Sequence, residues 1–518
     1  MRNRADEILV STCIYDSVSK VPFYGYVAVK GDSIFEIGKG DIPEKYKNGE
    51  IKITNYGNGT ICAGFGDTHT FFTGFIIDHL GIDLSGAEDL EELRAVLENE
   101  LLDKRNDKAL FGNHLKEKLA VQEATENMLS ELSSQIPIVL FVPGHGSCAM
   151  NQKARNQFGF TPDTCYAEAL YKMMGIYLND RDFVDKELEA YMHMLNAHGI
   201  TSVKEMGFDN FYGFTDVLRD FEKKGKLSLR ISFMSQPVGE EINISYGKKM
   251  RECFQSEFLQ FAGYNQMTDG LIINRQGHLK EPYEGTDVTC EKKIDYKRLE
   301  EDVLEADRNE FRFTLHSEGD GAFCEILNIL EKCQKENGIL KNRHGITDIE
   351  LAEEEDIKRM AQLSAFGEIY AQVYCLDTYK GWVDAYREVI GERQKRYLNF
   401  RKLADYGIRL CGATDLPMMI PDIPEAVYYG CGNYSCEGSD RINPENALTV
   451  SEMLDVWTIN SQYAMERENI LGTLEAGKRA DIVIFDNDLF QVPVERIREV
   501  KVQRTMVNGR EVYSREER

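Results

Sequence analysis

The chain has 518 residues, a formal net charge of −26 and a pI near 4.9, with 42% hydrophobic and 29% charged residues. This balance can bury a sizeable core, and 26 Phe and 25 Tyr against 12 Pro argue against disorder. An acidic field of this size repels phosphate backbones and anionic lipid, so neither nucleic acid nor a membrane is an expected partner. There is no run of about 18 apolar residues, and the charged start Met1-Arg-Asn-Arg carries no signal segment, so a cytoplasmic protein is expected. The 12 Cys are scattered without a C-x-x-C pair, which suits reduced thiols.

In chain order, residues 7–15, 24–30, 33–37 and 50–55 read as short strands, with Gly31-Asp32 as a hairpin turn. The centre alternates: strand-like runs at 60–66, 199–205, 227–233, 261–268, 311–316, 345–347, 368–374 and 408–414 are separated mostly by amphipathic stretches of helical length. That pattern predicts an α/β fold, a (β/α)8 TIM barrel over 60–465. The largest insertion, at about 75–160, follows the first strand. In it Ser85-Gly-Ala-Glu88 has the spacing of a capping box, and Leu90, Leu93, Leu97 and Leu101 share one helical face. Residues 481–485, 500–507 and 510–513 read as strands again, with Asn508-Gly509 as a turn. Two β-rich ends predict one composite β-sandwich domain, built from 1–59 and 466–518.

Chemistry in such a barrel gathers at the C-terminal ends of the strands. The first strand runs into Gly66-Asp67-Thr68-His69, the fifth ends at His316, the sixth at Asp348 and the eighth at Asp415. Any one of these could simply cap a loop. Four at matched positions would converge on one axial cavity, and neutral imidazole with carboxylate suits Zn, Mn or Fe.

The tail Ile470-Leu-Gly-Thr-Leu-Glu-Ala-Gly-Lys-Arg-Ala-Asp481 resembles the segment that leads amidohydrolase-superfamily chains out of the barrel into the composite β domain. More narrowly, the chain resembles the YtcJ-like branch, amidohydrolase family 3. Gly144-His145 followed by Asn151, the His316…Gly319-Asp320 run, Gln372 closing strand seven and Gly391-Glu-Arg393 support this. The resemblance implies His69, His316 and Asp415 as metal ligands, Asp415 as proton-transfer base, His316 as a further catalytic group, and His145 and Gln372 near the substrate. It also implies a small cyclic or N-acyl carbonyl substrate, and a homodimer, as composite-β amidohydrolases commonly form.

Three departures from the family pattern reshape that expectation. The usual His-x-His after strand one reads His69-Thr70-Phe71, the bridging lysine aligns with Asn265, and the strand-six histidine aligns with Asp348. A bridged pair of metals is therefore not expected. The remaining set, His69, His316, Asp348 and Asp415, suits at most one divalent ion, with the extra oxygen shifting preference from Zn towards Mn or Fe. Two other readings stay open. One is a metal-independent acid–base enzyme (isomerase, hydratase or C–C hydrolase) using His316 and Asp415. The other is a degenerate, non-catalytic member. Glu205 and Asp269 read as cavity-facing or loop-stabilising carboxylates, and His344, at the start of strand six, lies away from the active face.

Overall fold

The structure is a computed structural model that describes residues 4–47, 51–77, 79–103, 108–142, 148–158, 180–206, 214–237, 241–438 and 440–515. At its centre is a parallel barrel of eight strands in sequential order: Phe65–Thr70, Ile200–Glu205, Arg230–Ser235, Leu259–Gln266, Phe313–His316, Gly345–Thr347, Phe366–Ile369 and Leu410–Gly412. Strands of this kind are covered on both faces: every residue of the first three is buried, and only two positions of the fourth are half-buried. The ring closes between strands eight and one. Thr70 bridges Leu416, the Asp415 N–H donates to the His69 carbonyl at 2.9 Å, and the Phe71 N–H donates to the Leu416 carbonyl at 2.9 Å. The closure stitches two of the predicted site residues together through their backbones.

Amphipathic helices cover the barrel. In Tyr296–Arg308 the Asp295 carboxylate accepts from the Arg298 N–H at 3.1 Å, while Leu299, Val303, Leu304 and Ala306 face inward and are buried. Each fully buried Val or Leu side chain of this kind contributes about 1.5–3 kcal/mol of transfer free energy.

The two ends of the chain share one sheet. Its order is Arg510–Ser514, Val502–Val507, Ile482–Phe485, Thr60–Ala63, Glu7–Ile14, Phe23–Lys30 and Ser33–Lys39, with Lys52–Asn55 also on Glu7–Ile14. The Asn508-Gly509 turn has φ of 50° and 68°, the left-handed pair that a tight hairpin turn demands. One run reads differently from the sequence expectation. Residues 60–66 are not one barrel strand but split at Gly64: Thr60–Ala63 joins the terminal sheet and Phe65–Thr70 opens the barrel. A Cβ on Gly64 would stand 2.3 Å from the Thr201 hydroxyl, so only glycine lets the chain pass between the two sheets here. The terminal sheet is fastened to the barrel by Arg230, whose Nε and Nη2 reach the two Asp481 oxygens at 2.8 and 2.9 Å.

Within the insertion, Ile82–Asp83, Leu110–Asn113, Ile138–Phe141 and Cys148–Met150 form a separate four-stranded sheet with its own core around Leu93, Leu97, Leu110 and Leu140. The helix there is Leu90–Glu100, and its cap is Asp89, which accepts from the Glu91 and Glu92 N–H groups, both at 3.0 Å. The capping box expected at Ser85 and Glu88 is thus displaced: Glu88 precedes the helix and gives its N–H to the Glu92 carboxylate at 2.8 Å. Among the described residues no helix is long and apolar enough to cross a membrane.

Candidate active site

At the C-terminal end of the barrel lies a cavity of about 350 Å³ whose lining includes His69, His316, Asp348 and Asp415. Each arrives on a strand end or in the turn after it, and the two aspartates sit at φ of 56° and 52°. That left-handed backbone costs a non-glycine residue about 1 kcal/mol, with Asp among the residues that bear it best. Strain at this place turns each carboxylate off its strand towards the axis.

Both histidines have a carboxylate beside Nδ1, but only His69 makes a hydrogen bond to it; His316 Nδ1 stands at ion-pair distance without hydrogen-bond geometry. His69 Nδ1 lies 3.3 Å from Glu368 Oε2 and His316 Nδ1 lies 3.3 Å from Asp269 Oδ1. The opposite nitrogens face carboxylates of the cavity: His69 Nε2 is 3.7 Å from Asp415, and His316 Nε2 is 3.5 Å from Asp348 and 3.7 Å from Glu318. A carboxylate behind a histidine fixes the ring and raises its basicity, the arrangement that metal-ligating histidines share. Among the described residues the four donors stand as two pairs, and no three of them come within 4.8 Å of one another.

The supporting carboxylates are themselves anchored. Asp269 accepts from the backbone N–H groups of Glu318, Gly319 and His278 at 3.1, 2.9 and 2.9 Å. Glu368, on strand seven, is paired in the barrel interior with Lys204 of strand two, both wholly buried. Burial alone would raise the Glu368 carboxyl, but Lys204 and His69 hold it below its usual range. Asp67 takes the Thr414 hydroxyl at 2.5 Å and the His69 N–H at 3.1 Å, and burial pushes it up to about 8.

Electrostatics around the cavity are dominated by crowded carboxyls. Burial raises Asp415 above its ordinary value against the pull of His69 and His316, which makes it a better proton acceptor near neutrality. Asp348 is pushed much further, by burial and by the nearby acids, against the pull of His316. Burial disfavours a charged His316 ring, yet Asp269, Glu318 and Asp348 together hold its proton well above the usual range.

Of the sequence-derived residues, His69, His316, Asp348 and Asp415 meet at one cavity. Asn265 is wholly buried, and neither of its amide atoms has a partner among the described residues. His145 lies outside the described residues. Gln372 stands beyond strand seven instead of closing it, and is not among the residues lining the cavity. Its amide donates to the Ile420 carbonyl at 3.0 Å and accepts from the Asp422 N–H at 3.4 Å, stapling two loops. Glu205 also stabilises loops, taking the Thr70 and Tyr191 hydroxyls at 3.0 and 3.1 Å, and burial pushes it up to about 8.

Glu318, Glu350, Glu368 and Lys204 are additions that the sequence reading did not contain. The first two follow His316 and Asp348 by two residues, the spacing that returns a side chain to the same side of an extended chain, and that was the available signal.

A second group of potential ligands, Asp307, Cys333 and His344, does converge within 4.8 Å. There the Phe313 N–H donates to His344 Nδ1 at 3.1 Å, so the ring proton is on Nε2, 3.0 Å from Asp307. A metal on Nε2 would leave the ring as an imidazolate, and Asp307 is already satisfied by Asn337 and Asn342 at 2.9 and 2.6 Å. This cluster is a structural hydrogen-bond network at the start of strand six, away from the active face.

The chain matches the amidohydrolase family over residues 53–513 and belongs to it. It is thus a hydrolase of the TIM-barrel type. Protein YtcJ of Bacillus subtilis (strain 168) is 21% identical over 515 residues, covering 94% of each chain. An N-substituted formamide deformylase of Arthrobacter pascens is 31% identical over 137 residues, 26% of this chain and 25% of that protein. Among solved structures, a metal-dependent hydrolase from Pyrococcus furiosus superposes with a TM-score of 0.73 at 19% identity, covering 94% of this chain and all of the other.

Proposed function

We propose that the protein hydrolyses a small cyclic or N-acyl carbonyl compound, with Asp415 as general base and then general acid, at a site that takes at most one divalent ion. The observation that carries this reading is the pair of carboxylate-backed histidines, His69 on Glu368 and His316 on Asp269, whose free nitrogens face Asp415 and Asp348 across the cavity. His69, His316, Asp348 and Asp415 would hold the ion; they stand as two pairs, so a three- or four-ligand mononuclear site would require the pairs to draw together around it. When bound, such an ion lowers the pKa of water and polarises a carbonyl. Phe71, in the place of a second imidazole, and Asn265, in the place of a bridging lysine, supply no ligands for a second one. Mn or Fe suits this oxygen-richer set better than Zn.

Asp415 performs the proton transfers. Its carboxylate takes a proton from water as the water oxygen bonds to the carbonyl carbon. It then returns that proton to the leaving nitrogen as the C–N bond breaks, releasing a carboxylic acid and an amine, between which the acid's proton then passes. The aromatic wall of Phe71, Tyr370 and Phe400 keeps bulk water away from the reacting carbonyl.

A second reading is favoured by one observation. His316 has Asp269, Asp348 and Glu318 at 3.3, 3.5 and 3.7 Å, which raise its proton affinity, and could act with Asp415 as an acid–base couple on a carbonyl, without a metal. A panel of N-formyl amines, N-acetyl amines and cyclic amides separates the two. Hydrolysis that stops after chelation and returns with Mn(II), Fe(II) or Zn(II) is the expected result. Undiminished hydrolysis in the chelated protein would favour the His316–Asp415 couple instead.

A further inference from the structure

The proposed hydrolytic site uses two of the four carboxylates that line the cavity and leaves two over. Glu318 is buried, accepts the Ile272 N–H through Oε2 at 2.8 Å, and otherwise faces His316. Glu350 accepts the Tyr397 hydroxyl at 2.8 Å through Oε1, while its buried Oε2 has no partner among the described residues. Among the described residues, no lysine or arginine lines the cavity. Of these two acids, Glu318 has the His316 ring 3.7 Å away, and Glu350 keeps one buried oxygen for an occupant of the cavity.

Beside them stands an aromatic wall. The rings of Trp382 and Tyr386 lie 5.6 Å apart at 30°, those of Trp382 and Tyr397 5.7 Å apart at 30°, and those of Tyr386 and Tyr397 4.4 Å apart. Trp382 and Tyr386 both line the cavity. The Trp382 side chain is 7% exposed, and its indole N–H has no acceptor among the described residues, so an oxygen on an occupant would satisfy it. Carboxylates adjoining aromatic faces in a largely apolar cavity form a receptor for an organic cation: the rings attract it through their quadrupoles and the carboxylates accept its N–H groups. The chain's net charge of −26 also raises the local concentration of cations over anions.

Resting on the hydrolytic reading, we propose that the substrate is an N-acyl amine that carries a second, protonated nitrogen, held by Glu350 and Glu318 against Trp382 and Tyr386 while its acyl carbonyl lies by Asp415. Glu318 and Glu350 would then determine which substrate is accepted, and Asp415 would carry the proton transfer.

The test is calorimetric binding of matched acetamides to the metal-loaded protein. N-acetylethylenediamine, N-acetylputrescine and N-acetylcadaverine are each compared with the alkyl acetamide in which a methyl replaces the ammonium, and with the analogue in which a carboxylate does. At one or more chain lengths the cation should bind about tenfold or more tightly than its neutral partner, and the anion most weakly. Glu350→Gln should bring cation and neutral partner to within about twofold, an expectation from loss of that charge, and should leave metal content unchanged. Equal binding of cation and neutral partner at every length would overturn the proposal. So would a preference that survives Glu350→Gln, or a loss of metal in that variant, which would make Glu350 a metal ligand. Should Glu350→Gln not fold, Glu318→Gln and the wild-type ligand comparison decide. Acetate release is scored separately: cation preference without hydrolysis would sink the hydrolytic reading alone, and hydrolysis without cation preference this proposal alone.

Discussion

Asp415→Asn should lower turnover by about 10²–10⁴, the usual contribution of a positioned acid–base group. The substitution keeps shape and removes basicity. Asp415 is the carboxylate that His69 faces at 3.7 Å, and its own N–H closes the barrel onto the His69 carbonyl at 2.9 Å. Neither the backbone bond nor the left-handed φ of 52° is disturbed, since Asn tolerates that conformation as Asp does. The melting temperature should therefore stay close to that of the wild type while activity falls. Near-normal turnover of the variant on the true substrate would remove Asp415 from both the metal-dependent and the metal-independent mechanism.

The second large effect is on stability. Lys204 and Glu368 are fully buried and paired across the barrel interior, and Lys204 also lies 3.4 Å from the Thr314 hydroxyl. Lys204→Met strands the Glu368 charge in the core, and removing one partner of such a pair costs about 3–5 kcal/mol, to be read from chemical denaturation. Adding Glu368→Leu should recover most of that loss, because an apolar replacement of both partners no longer buries an unpaired charge. The double variant should nonetheless be impaired in turnover, since His69 loses the carboxylate behind Nδ1. A single variant as stable as the wild type would show that Glu368 is already protonated in the native protein.

Much of this architecture is legible in the amino-acid sequence because its signals are local. The strand ends His69, His316, Asp348 and Asp415 each follow a short run of apolar and small residues, and the Asn508-Gly509 turn announces its hairpin. What escaped depends on distant contacts. The break at Gly64 arises from the approach of Thr201, well over a hundred residues further along. Lys204 finds Glu368 164 residues away, and nothing near either residue in the chain advertises the pairing. The helix cap at Asp89 was missed for a different reason: Ser85-Gly-Ala-Glu88 and Asp89 are competing cap signals, and the one next to the first helical turn wins. Gln372 reads as a strand-end residue because Tyr370 and Ala371 prolong the apolar pattern past the hydrogen-bonded strand, which stops at Ile369.

The most direct test of a hydrolase with one metal position is elemental analysis of protein purified without chelator, beside its His316→Asn variant. At most one divalent ion per chain in the wild type, falling sharply in the variant while the fold is retained, is the predicted result. Two tightly held ions per chain, or a metal content indifferent to His316→Asn, would contradict it.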